Sequence, residues 1–343
     1  MKYDVVIVGA GPGGLRCAEI LATNDKKVLV LEKGSVIGDK VCAGGLTLKD
    51  LSLGMPDKII QRKFKTALVT TPFQKTRMEL DSPFVATLDR KDLGKWMANK
   101  AKKAGAEIQT QTEVTAIEKS KVLVNNQKIK FKYLVGADGS TSIVRKSLGL
   151  KTENFLQAIQ YITNKKFKDI QLFVNPDKYG GAYLWIFPYK DSTSVGTGFD
   201  LSRKIKQPVF NLNHKIIKKN FDKWCDKRFN RSKAEFQAFI INYDYQGHEF
   251  GNKFLIGDAG GFASGLTGEG IYNAIKSGGD VANKIVLKKY SYPEIRHILY
   301  IKRIEEMLLR SLEINKTVMK AEWELLNLLF KTKWGDEIAA KSI

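Results

Sequence analysis

The sequence predicts an α/β protein in which a Rossmann-like nucleotide-binding domain is interrupted by an antiparallel β domain and followed by helices. Three observations predict this fold. Strand-like apolar segments lead into glycine-rich turns near residues 9, 136 and 257. Residues 151–250 read as a series of short strands. From residue 291 onward, apolar residues recur at the spacing of an amphipathic helix.

The first glycine-rich turn has the complete pattern of a dinucleotide-binding motif. Residues 2–8 read as a buried parallel strand, and Gly9, Gly11 and Gly14 then occupy the G-x-G-x-x-G positions ahead of a helix. A second strand ends at Glu32, 23 residues after Gly9, where an acidic side chain binds a ribose hydroxyl. Because a carboxylate there repels a 2′-phosphate, we expect FAD or NAD rather than NADP.

The second turn, in residues 133–140, again leads from a strand through Asp138 and a glycine to a helix. By itself this pattern fits an ordinary strand-to-helix connection with Asp-Gly turn chemistry equally well.

The third turn, in residues 257–278, has six glycines in its first fourteen residues and becomes a helix near Gly270. Glycines at this density let the backbone adopt positive φ and approach a ligand closely. The N-terminus of the following helix suits a pyrophosphate or an oxidised ring. Asp258, just after the strand, can accept hydrogen bonds from sugar-like hydroxyls.

Together the three motifs resemble the FAD-dependent oxidoreductases of the para-hydroxybenzoate hydroxylase-like superfamily, over roughly residues 1–285. The resemblance implies that FAD is the cofactor and that its ADP half contacts Gly9, Gly11, Gly14 and Glu32. It implies further cofactor contacts from Asp138, Asp258, Gly260, Gly261, Gly268 and Gly270. Arg90, just before a predicted amphipathic helix, matches the arginine that approaches the cofactor in this family, although a solvated charge at a helix start would look the same.

These motifs also divide the chain into domains. The FAD-binding domain is predicted to comprise residues 1–64, 87–150 and 251–290. An antiparallel substrate cap is predicted from residues 65–86 and 151–250. The C-terminal helices are predicted in residues 291–343, with Ile298, Ile301, Ile304, Leu308 and Leu312 on one face.

An aromatic segment narrows the choice of substrate. In a strand, Tyr183, Trp185 and Phe187 would lie on one face, either lining an apolar pocket or belonging to an ordinary core. The segment resembles the Y-x-W-x-F-P signature of the geranylgeranyl reductase family, including its archaeal digeranylgeranylglycerophospholipid reductases. This family hydrogenates C=C bonds of prenyl chains. The chain departs from the fuller signature, because Gly180 replaces a proline and Tyr189-Lys190 replaces a Lys-Gly pair.

A cysteine segment, KVCAGGL at residues 40–46, resembles the glycine segment that lies beside the flavin in the same family. The resemblance implies that Cys42, Gly44 and Gly45 contact the substrate, together with the three aromatic residues. It also implies catalytic roles for Cys42, Tyr183 and Trp185, with Cys42 or Tyr183 relaying a proton. A small buried hydrophobe is the alternative for Cys42. Cys17 and Cys225 have no such context and are expected to be structural, and the three histidines show no metal-ligand spacing.

The amino-acid composition indicates the cellular compartment and the binding partners of the protein. The 343 residues include three cysteines without a C-x-x-C pair, which argues against a disulfide scaffold. The first strand leaves no room for a signal peptide, and no apolar run has the length of a membrane span. We therefore expect a cytoplasmic protein that is soluble or peripheral at the inner face of the membrane. The net charge of +21, with eleven basic against three acidic residues in 201–240, favours an anionic membrane face. A lysine-rich proteome would give the same composition without a partner, and nucleic acid is unlikely because no recognition motif is present.

The reaction also needs an electron donor. Because FAD takes the one dinucleotide-binding motif, NAD(P)H would need a transient site, or a ferredoxin-like carrier would deliver the electrons. Two alternative functions share the fold. A flavin-dependent aromatic monooxygenase would need a polar pocket for a phenolate. A non-catalytic flavin-bound protein of the membrane surface would need no substrate site.

Overall fold

The computed structural model describes residues 2–201, 213–312 and 316–331, and these fall into two compact units. Unit 1 comprises the described residues up to Lys40, then Arg90–Phe155 and Ile241–Ile304. Unit 2 comprises Val41–Asp89, Leu156–Ile240 and the described residues from Glu305 onward. Within the described ranges, no helix is both long and apolar enough to cross a lipid bilayer.

The elements are numbered in chain order. The strands are β1 (Lys2–Val8), β2 (Val28–Leu31), β3 (Gly45–Leu46), β4 (Ile60–Phe64), β5 (Thr66–Thr70), β6 (Lys75–Glu79), β7 (Val85–Leu88), β8 (Glu107–Gln109), β9 (Val114–Ile117), β10 (Lys121–Val124), β11 (Gln127–Gly136), β12 (Phe155–Thr163), β13 (Ile170–Val174), β14 (Tyr183–Pro188), β15 (Thr193–Asp200), β16 (Glu235–Asn242), β17 (Glu249–Phe250) and β18 (Lys253–Leu255). The α-helices are α1 (Pro12–Thr23), α2 (Leu48–Leu51), α3 (Arg90–Lys103), α4 (Ile143–Ser147), α5 (Pro176–Tyr179), α6 (His214–Asp226), α7 (Gly257–Gly260), α8 (Ile271–Leu287), α9 (Pro293–Leu312) and α10 (Lys316–Leu329).

Unit 1 is built on a parallel sheet in the order β18-β11-β1-β2-β8, with β17 antiparallel at one edge. The register places Val8 opposite both Leu31 and Gly136, and Gly136 opposite Leu255. Four strands therefore end at the same edge, and every predicted nucleotide-binding turn leaves the sheet there. This confirms the predicted Rossmann-like α/β fold.

Two further local predictions in unit 1 are confirmed. Strands β10 and β11 form the hairpin expected around Asn125 and Asn126, which adopt φ of +45° and +63°. Such values suit a two-residue turn that matches the twist of its strands. The helix predicted from Gly270 is α8, with Gly270 as its N-cap. The sequence missed the short helix α7 at the start of the same glycine segment.

Unit 2 contains a seven-stranded sheet in the order β16-β12-β15-β14-β13-β5-β6. Its pairs are antiparallel except for β13 with β5, so the predicted antiparallel cap is present with one parallel junction. Helix α6 packs on one face, where Leu184, Ile186 and Phe221 belong to one apolar core. A second core holds Phe64, Met78 and Phe330.

The unit boundaries differ from those that the sequence indicates. Unit 2 begins at Val41 rather than near residue 65, because β3 and β4 both pair with β7 in a separate three-stranded sheet. Unit 1 resumes earlier than expected, at Ile241. There the side chain of Asn242 donates to the carbonyl of Asp258 at 2.7 Å.

The predicted apolar face of the C-terminal helices is only partly correct. The buried side chains of α9 are Ile295, Ile298 and Lys302. Beyond them Ile304 and Leu308 are 40% and 49% exposed, so the stripe does not continue as a core face. The reason is that unit 1 ends at Ile304, and the helix has no further core of that unit to cover. The side chain of Leu312 lies outside the described part of the chain.

Helices α1 and α8 approach closely through glycines. A Cβ placed at Gly278 would lie 2.3 Å from the carbonyl oxygen of Gly13. At the neighbouring Gly279 the nearest atom to such a Cβ would be Ile20 Cδ1, at an ordinary 3.7 Å. The two positions differ by one residue in the same helix, so they form a matched pair.

We predict opposite effects of alanine at these two positions. Gly278→Ala should lower the free energy of unfolding by about 1–3 kcal/mol, because the added methyl group overpacks a backbone contact. Gly279→Ala should raise it by up to about 1 kcal/mol through helix propensity. Urea unfolding at a fixed FAD concentration measures both. Equal effects of the two substitutions would contradict the close approach of α1 and α8.

Candidate active site

The three glycine-rich motifs meet in unit 1. Gly9 has a φ of +100°, and a Cβ there would lie 2.4 Å from the carbonyl oxygen of Ala137 in the second motif. The hydroxyl of Ser140, in the second motif, donates to Asp258 Oδ2 in the third at 3.1 Å. Chain segments far apart in sequence therefore form one site.

In the first glycine-rich turn, Gly14 is in close contact with the backbone, whereas Gly11 is not. A Cβ at Gly14 would lie 2.2 Å from the oxygen of Gly9, so this turn excludes any larger residue. A Cβ at Gly11 would meet nothing closer than 3.8 Å. Gly11 is the N-cap of α1, and Pro12 fills its first turn. The first amides of α1 have no helical acceptor, and they favour an anion such as a pyrophosphate.

Glu32 is held at the end of β2 by two backbone donors. Its Oε2 accepts from the amide of Ala10 at 2.7 Å, and its Oε1 accepts from the amide of Gly34 at 2.8 Å. These bonds fix the carboxylate beside the first turn, where the motif predicts that it contacts a ribose. Carboxylate oxygens have further lone pairs, so both bonds are compatible with a hydroxyl donor.

Asp258 is the centre of a polar cluster that sequence reasoning did not assign. Its Oδ2 accepts from Lys40 Nζ at 2.9 Å as well as from Ser140. The amide of Asn242 donates to Ser140 Oγ at 3.1 Å, and its side chain donates to the Asp258 carbonyl. Lys40 and Ser140 lie inside predicted motifs, so their polar side chains were the one sign in the sequence that they could bind Asp258.

The four predicted glycines of the third motif divide into two pairs. A Cβ at Gly261 would lie 2.4 Å from the carbonyl of Asp244, and one at Gly260 would lie 2.6 Å from the ring of Phe262. Contacts within the protein are therefore enough to explain why Gly260 and Gly261 must be glycines, without a ligand. At Gly268 and Gly270 the nearest atoms to a Cβ are 3.6 and 3.3 Å away. A Cβ at Gly268 would make an ordinary contact, whereas one at Gly270 would crowd the carboxylate of Asp258 ahead of the N-terminus of α8.

Asp138 caps a helix in this structure. Its carboxylate accepts from the Ser142 hydroxyl at 2.5 Å and from the amide of Ile143 at 2.6 Å. Nearby, the guanidinium of Arg145 is buried and donates to the Asp244 carbonyl at 2.8 Å. Burial lowers the pKa of Arg145, and the Asp244 carboxylate opposes that shift. The second motif thus supports the third one structurally, and the predicted cofactor contact of Asp138 stays a prediction.

A buried lysine from α9 supports the glycine loop. Lys302 is 4% exposed, and its ammonium donates to the carbonyls of Ala263 at 2.7 Å and Tyr243 at 3.1 Å. Sequence reasoning missed it, although a lysine in register with Ile295 and Ile298 was a visible sign of a buried cation.

Arg90 supplies the clearest test of whether FAD fits. Its Nε is buried and makes no hydrogen bond with the described residues. A buried donor without an acceptor is costly, and a charged cofactor oxygen would satisfy it. Together with the uncrowded position at Gly11 and the unpaired first amides of α1, this donor fits an anionic dinucleotide. The residues of unit 1 are therefore compatible with FAD.

Strand β14 of unit 2 presents the predicted aromatic face. The ring centroids of Tyr183 and Trp185 are 6.1 Å apart, and those of Trp185 and Phe187 are 6.2 Å apart. Leu184 and Ile186, which alternate with them, point into the core on the other side of the sheet. The period-two prediction is confirmed.

Trp185 is both packed and part of this face. It is 6% exposed, and a Cβ at Gly196 would lie 2.2 Å from its indole ring. Beside Tyr183, the register places the small residues Ala158 and Gly198 opposite each other. A Cβ at Gly198 would meet nothing closer than 3.7 Å, so space remains in front of this part of the sheet.

The cysteine segment packs on the same face of unit 2. A Cβ at Gly45 would lie 2.7 Å from the ring of Phe187. Gly44 has a φ of +67°, and a Cβ there would lie 2.4 Å from the hydroxyl of Tyr189. That hydroxyl donates to the carbonyl of Ala43 at 2.6 Å. Tyr189, which departs from the family pattern, therefore helps to fix the segment.

A chain of buried and partly buried hydrogen bonds joins the aromatic strand to Cys42. Trp185 Nε1 donates to Ser194 Oγ at 2.9 Å, and this hydroxyl donates to Gln160 Oε1 at 2.8 Å. Gln160 Nε2 donates to the carbonyl of Cys42 at 3.2 Å and to Gln237 Oε1 at 2.7 Å. The structure thus brings together the two segments that the sequence assigns to the substrate.

The three cysteines differ in environment. Cys17 and Cys225 are fully buried, and burial raises the pKa of both thiols, so they stay protonated and unreactive at neutral pH. Cys42 is half-buried, and its Sγ accepts from the amide of Gly44 at 3.3 Å. Of the three, only Cys42 combines access with a place beside the aromatic face.

Comparison with known proteins agrees with this geometry. A model of the FAD binding domain family matches residues 2–288. The digeranylgeranylglycerophospholipid reductase of Methanocella arvoryzae is 32% identical over 310 residues, 83% of this chain and 77% of that protein. Digeranylgeranylglycerophospholipid reductase 3 of Methanosphaera stadtmanae is 32% identical over 325 residues, 85% of this chain and 80% of that protein. A solved geranylgeranyl bacteriochlorophyll reductase-like protein from Thermoplasma acidophilum shares the fold, with a TM-score of 0.78 and 21% identity over 99% of this chain and 95% of that one.

We predict that Arg90→Met weakens FAD binding about tenfold or more, because a hydrogen bond to a charged group is worth about 1.5–3 kcal/mol. Lys91→Met is the control, since Lys91 is 55% exposed and pairs with Asp39 on the surface. Fluorescence titration of the apoprotein with FAD measures both dissociation constants. Equal constants for the two variants would remove Arg90 from the cofactor site.

Proposed function

The chain belongs to the FAD binding domain family and, within it, to the family of the digeranylgeranylglycerophospholipid reductases, and we propose that it hydrogenates C=C bonds of a polyprenyl chain. The chain is an FAD-dependent oxidoreductase. The observation that supports the substrate proposal is the hydrogen-bonded link from Trp185 through Gln160 to the carbonyl of Cys42. It joins the cysteine segment to the aromatic strand, so the thiol of Cys42 would lie at the edge of an apolar surface.

Unit 1 would hold the cofactor. The amides at the start of α1 and α8 would face its phosphates, Glu32 a ribose, and Arg90 an anionic oxygen. Lys40 and Asp258 lie within the same cluster and would contact its polar chain. When bound and reduced, FAD supplies the hydride for the reaction.

Unit 2 would hold the prenyl chain. An isolated alkene has no carbonyl to polarise, so the protein contributes mainly position and the exclusion of water. The rings of Tyr183, Trp185 and Phe187 form an apolar wall, and a branched hydrocarbon would lie against it in front of Gly198, where a Cβ would meet nothing closer than 3.7 Å. These contacts would hold one double bond beside Cys42.

A proton must complete the reaction. Hydride adds to one alkene carbon, a proton adds to the other, and the double bond becomes a single bond. We assign the proton to the thiol of Cys42, because Gln160 and the Gly44 amide fix this residue beside Phe187. The hydroxyl of Tyr183 is the alternative donor. The aromatic monooxygenase is not favoured, because Gln160, Ser194 and Gln237 use their polar groups on one another rather than for a phenolate.

Two finer parts of the proposal concern partners. The electrons would come from NAD(P)H at a transient site or from an acidic ferredoxin-like carrier, which the net charge of +21 would attract. The same charge would hold the protein peripherally on an anionic membrane.

The decisive test is anaerobic. The protein is reduced with dithionite, mixed with a geranylgeranyl lipid, and the lipid is examined by mass spectrometry. We expect two added hydrogen atoms for each bond reduced. Cys42→Ala should slow this step by a factor of at least about 100, the usual range for a lost general acid, while Cys17→Ala should not. Flavin that is never reoxidised by any prenyl substrate would contradict the proposal.

We further predict that Gly198→Leu blocks the substrate but not the cofactor. The added side chain would occupy the space beside Tyr183, so kcat/KM for a prenyl substrate should fall at least about tenfold, as a binding loss near 1.4 kcal/mol produces. Flavin absorbance should be unchanged. Ala238→Leu, at an exposed position on the edge strand β16, is the control. Full activity in Gly198→Leu would place the prenyl chain elsewhere.

A further inference from the structure

The turn between β5 and β6 displays a phenylalanine on the surface of unit 2. Phe73 is 81% exposed, the highest value among the large apolar side chains that the structure describes. The turn is nevertheless well held. The carboxylate of Glu324, in α10, accepts from the amide of Phe73 at 3.1 Å, from the Thr71 hydroxyl at 2.7 Å and from Gln74 Nε2 at 2.8 Å. The backbone of Phe73 is therefore fixed while its ring faces solvent.

Helix α10 continues this apolar surface. Its inward side carries Met319 and Asn327, both buried, and Asn327 Nδ2 donates to Thr71 Oγ1 at 3.1 Å. Its outward side carries Val318, Leu325 and Leu328, which are 42%, 61% and 50% exposed. At 100° per residue these three fall on one side of the helix. We call Phe73, Val318, Leu325 and Leu328 the apolar rim.

The rim lies at one end of the sheet that carries the aromatic face. Thr70 pairs with Phe173, and Phe173 pairs with Leu184, so the β5–β6 turn lies at the Tyr183 end of β14. A Cβ at Gly181, just before β14, would lie 3.7 Å from Met319 of α10. The cysteine segment packs at the opposite end, against Phe187.

Exposed lysines lie on elements next to the rim. Lys75 follows the turn, Lys178 lies in α5 at the same end of the sheet, and Lys331 follows α10; all three are exposed. The one carboxylate of α5, on Asp177, is paired with both Lys316 and Lys320. Apolar side chains with lysines beside them suit an anionic lipid surface, with the phenylalanine ring and the leucines among acyl chains and the ammonium groups at the phosphates.

We propose that the apolar rim docks this chain on an anionic lipid bilayer. The proposal rests on the proposed function in one respect, since it makes the Tyr183 end of the aromatic face the entrance for the prenyl chain. A tail that passes from the bilayer over the rim and along β14 would reach Cys42 without crossing water. Docking therefore solves the delivery of a substrate that is insoluble in water.

The binding test uses vesicles of phosphatidylcholine with and without phosphatidylglycerol. Burial of one large apolar side chain favours the bound state by at least about tenfold. The variant Phe73→Ser/Leu325→Ser/Leu328→Ser should therefore bind vesicles with phosphatidylglycerol at least about 100-fold more weakly than wild type. Leu287→Ser, at a 58% exposed leucine of unit 1, should bind as wild type does. Flavin absorbance and melting temperature verify folding, and Phe73→Ser alone serves where the triple variant unfolds.

Three outcomes separate docking from the proposed function. If wild type hydrogenates prenyl lipid both in detergent and in vesicles, the triple variant should lose only the vesicle reaction. If wild type reduces no prenyl lipid but the variant still loses vesicle binding, the function fails and the docking surface stands. Docking is overturned if the variant binds vesicles like wild type, or if its only change is from dimer to monomer in size-exclusion chromatography.

Discussion

The alignment of four strand ends is the constraint on which the cofactor site depends. Val8, Leu31, Gly136 and Leu255 lie side by side in a parallel sheet, so each following turn leaves at the same edge. A slip of one strand by one position would turn its side chains to the other face of the sheet and move the following turn out of line with its neighbours. The glycines then allow the turns to approach one another, as the 2.4 Å between Ala137 and a Cβ at Gly9 illustrates.

The corresponding constraint in unit 2 is a buried amide. Gln160 is 2% exposed and uses both ends of its side chain, accepting from Ser194 and donating to the Cys42 carbonyl and Gln237. Removal of one partner from such a network leaves buried polar atoms unsatisfied, at a cost of about 1–3 kcal/mol each. An aromatic signature and a cysteine segment more than 100 residues apart are therefore held in one arrangement by hydrogen bonds, although the surface they form is apolar.

The sequence was informative wherever structure follows from local patterns. Strand, glycine turn and helix were predictable at all three motifs, because periodicity and backbone freedom are local properties. Contacts made across the fold were not. The partner of Asp258 is Lys40, 218 positions away, and nothing in a local pattern pairs them. The same limit explains the early start of unit 2, where pairing with β7 outweighs proximity in sequence to unit 1, and the overextended apolar stripe of α9 at Ile304.

The apolar character of the proposed substrate also bears on selectivity. A hydrophobic pocket distinguishes substrates that differ by one methylene by only about 1–3 kcal/mol. Beside the aromatic face, the side chains of Gln160 and Ser194 already form hydrogen bonds within the protein. These groups therefore do not select a substrate by hydrogen bonding to its polar head group. The room in front of Gly198 would then limit the branching of the prenyl chain, but not the group attached to its far end. Discrimination among prenyl compounds would depend instead on which of them reach the entrance, and a membrane-docked rim around Phe73 would favour those anchored in the bilayer.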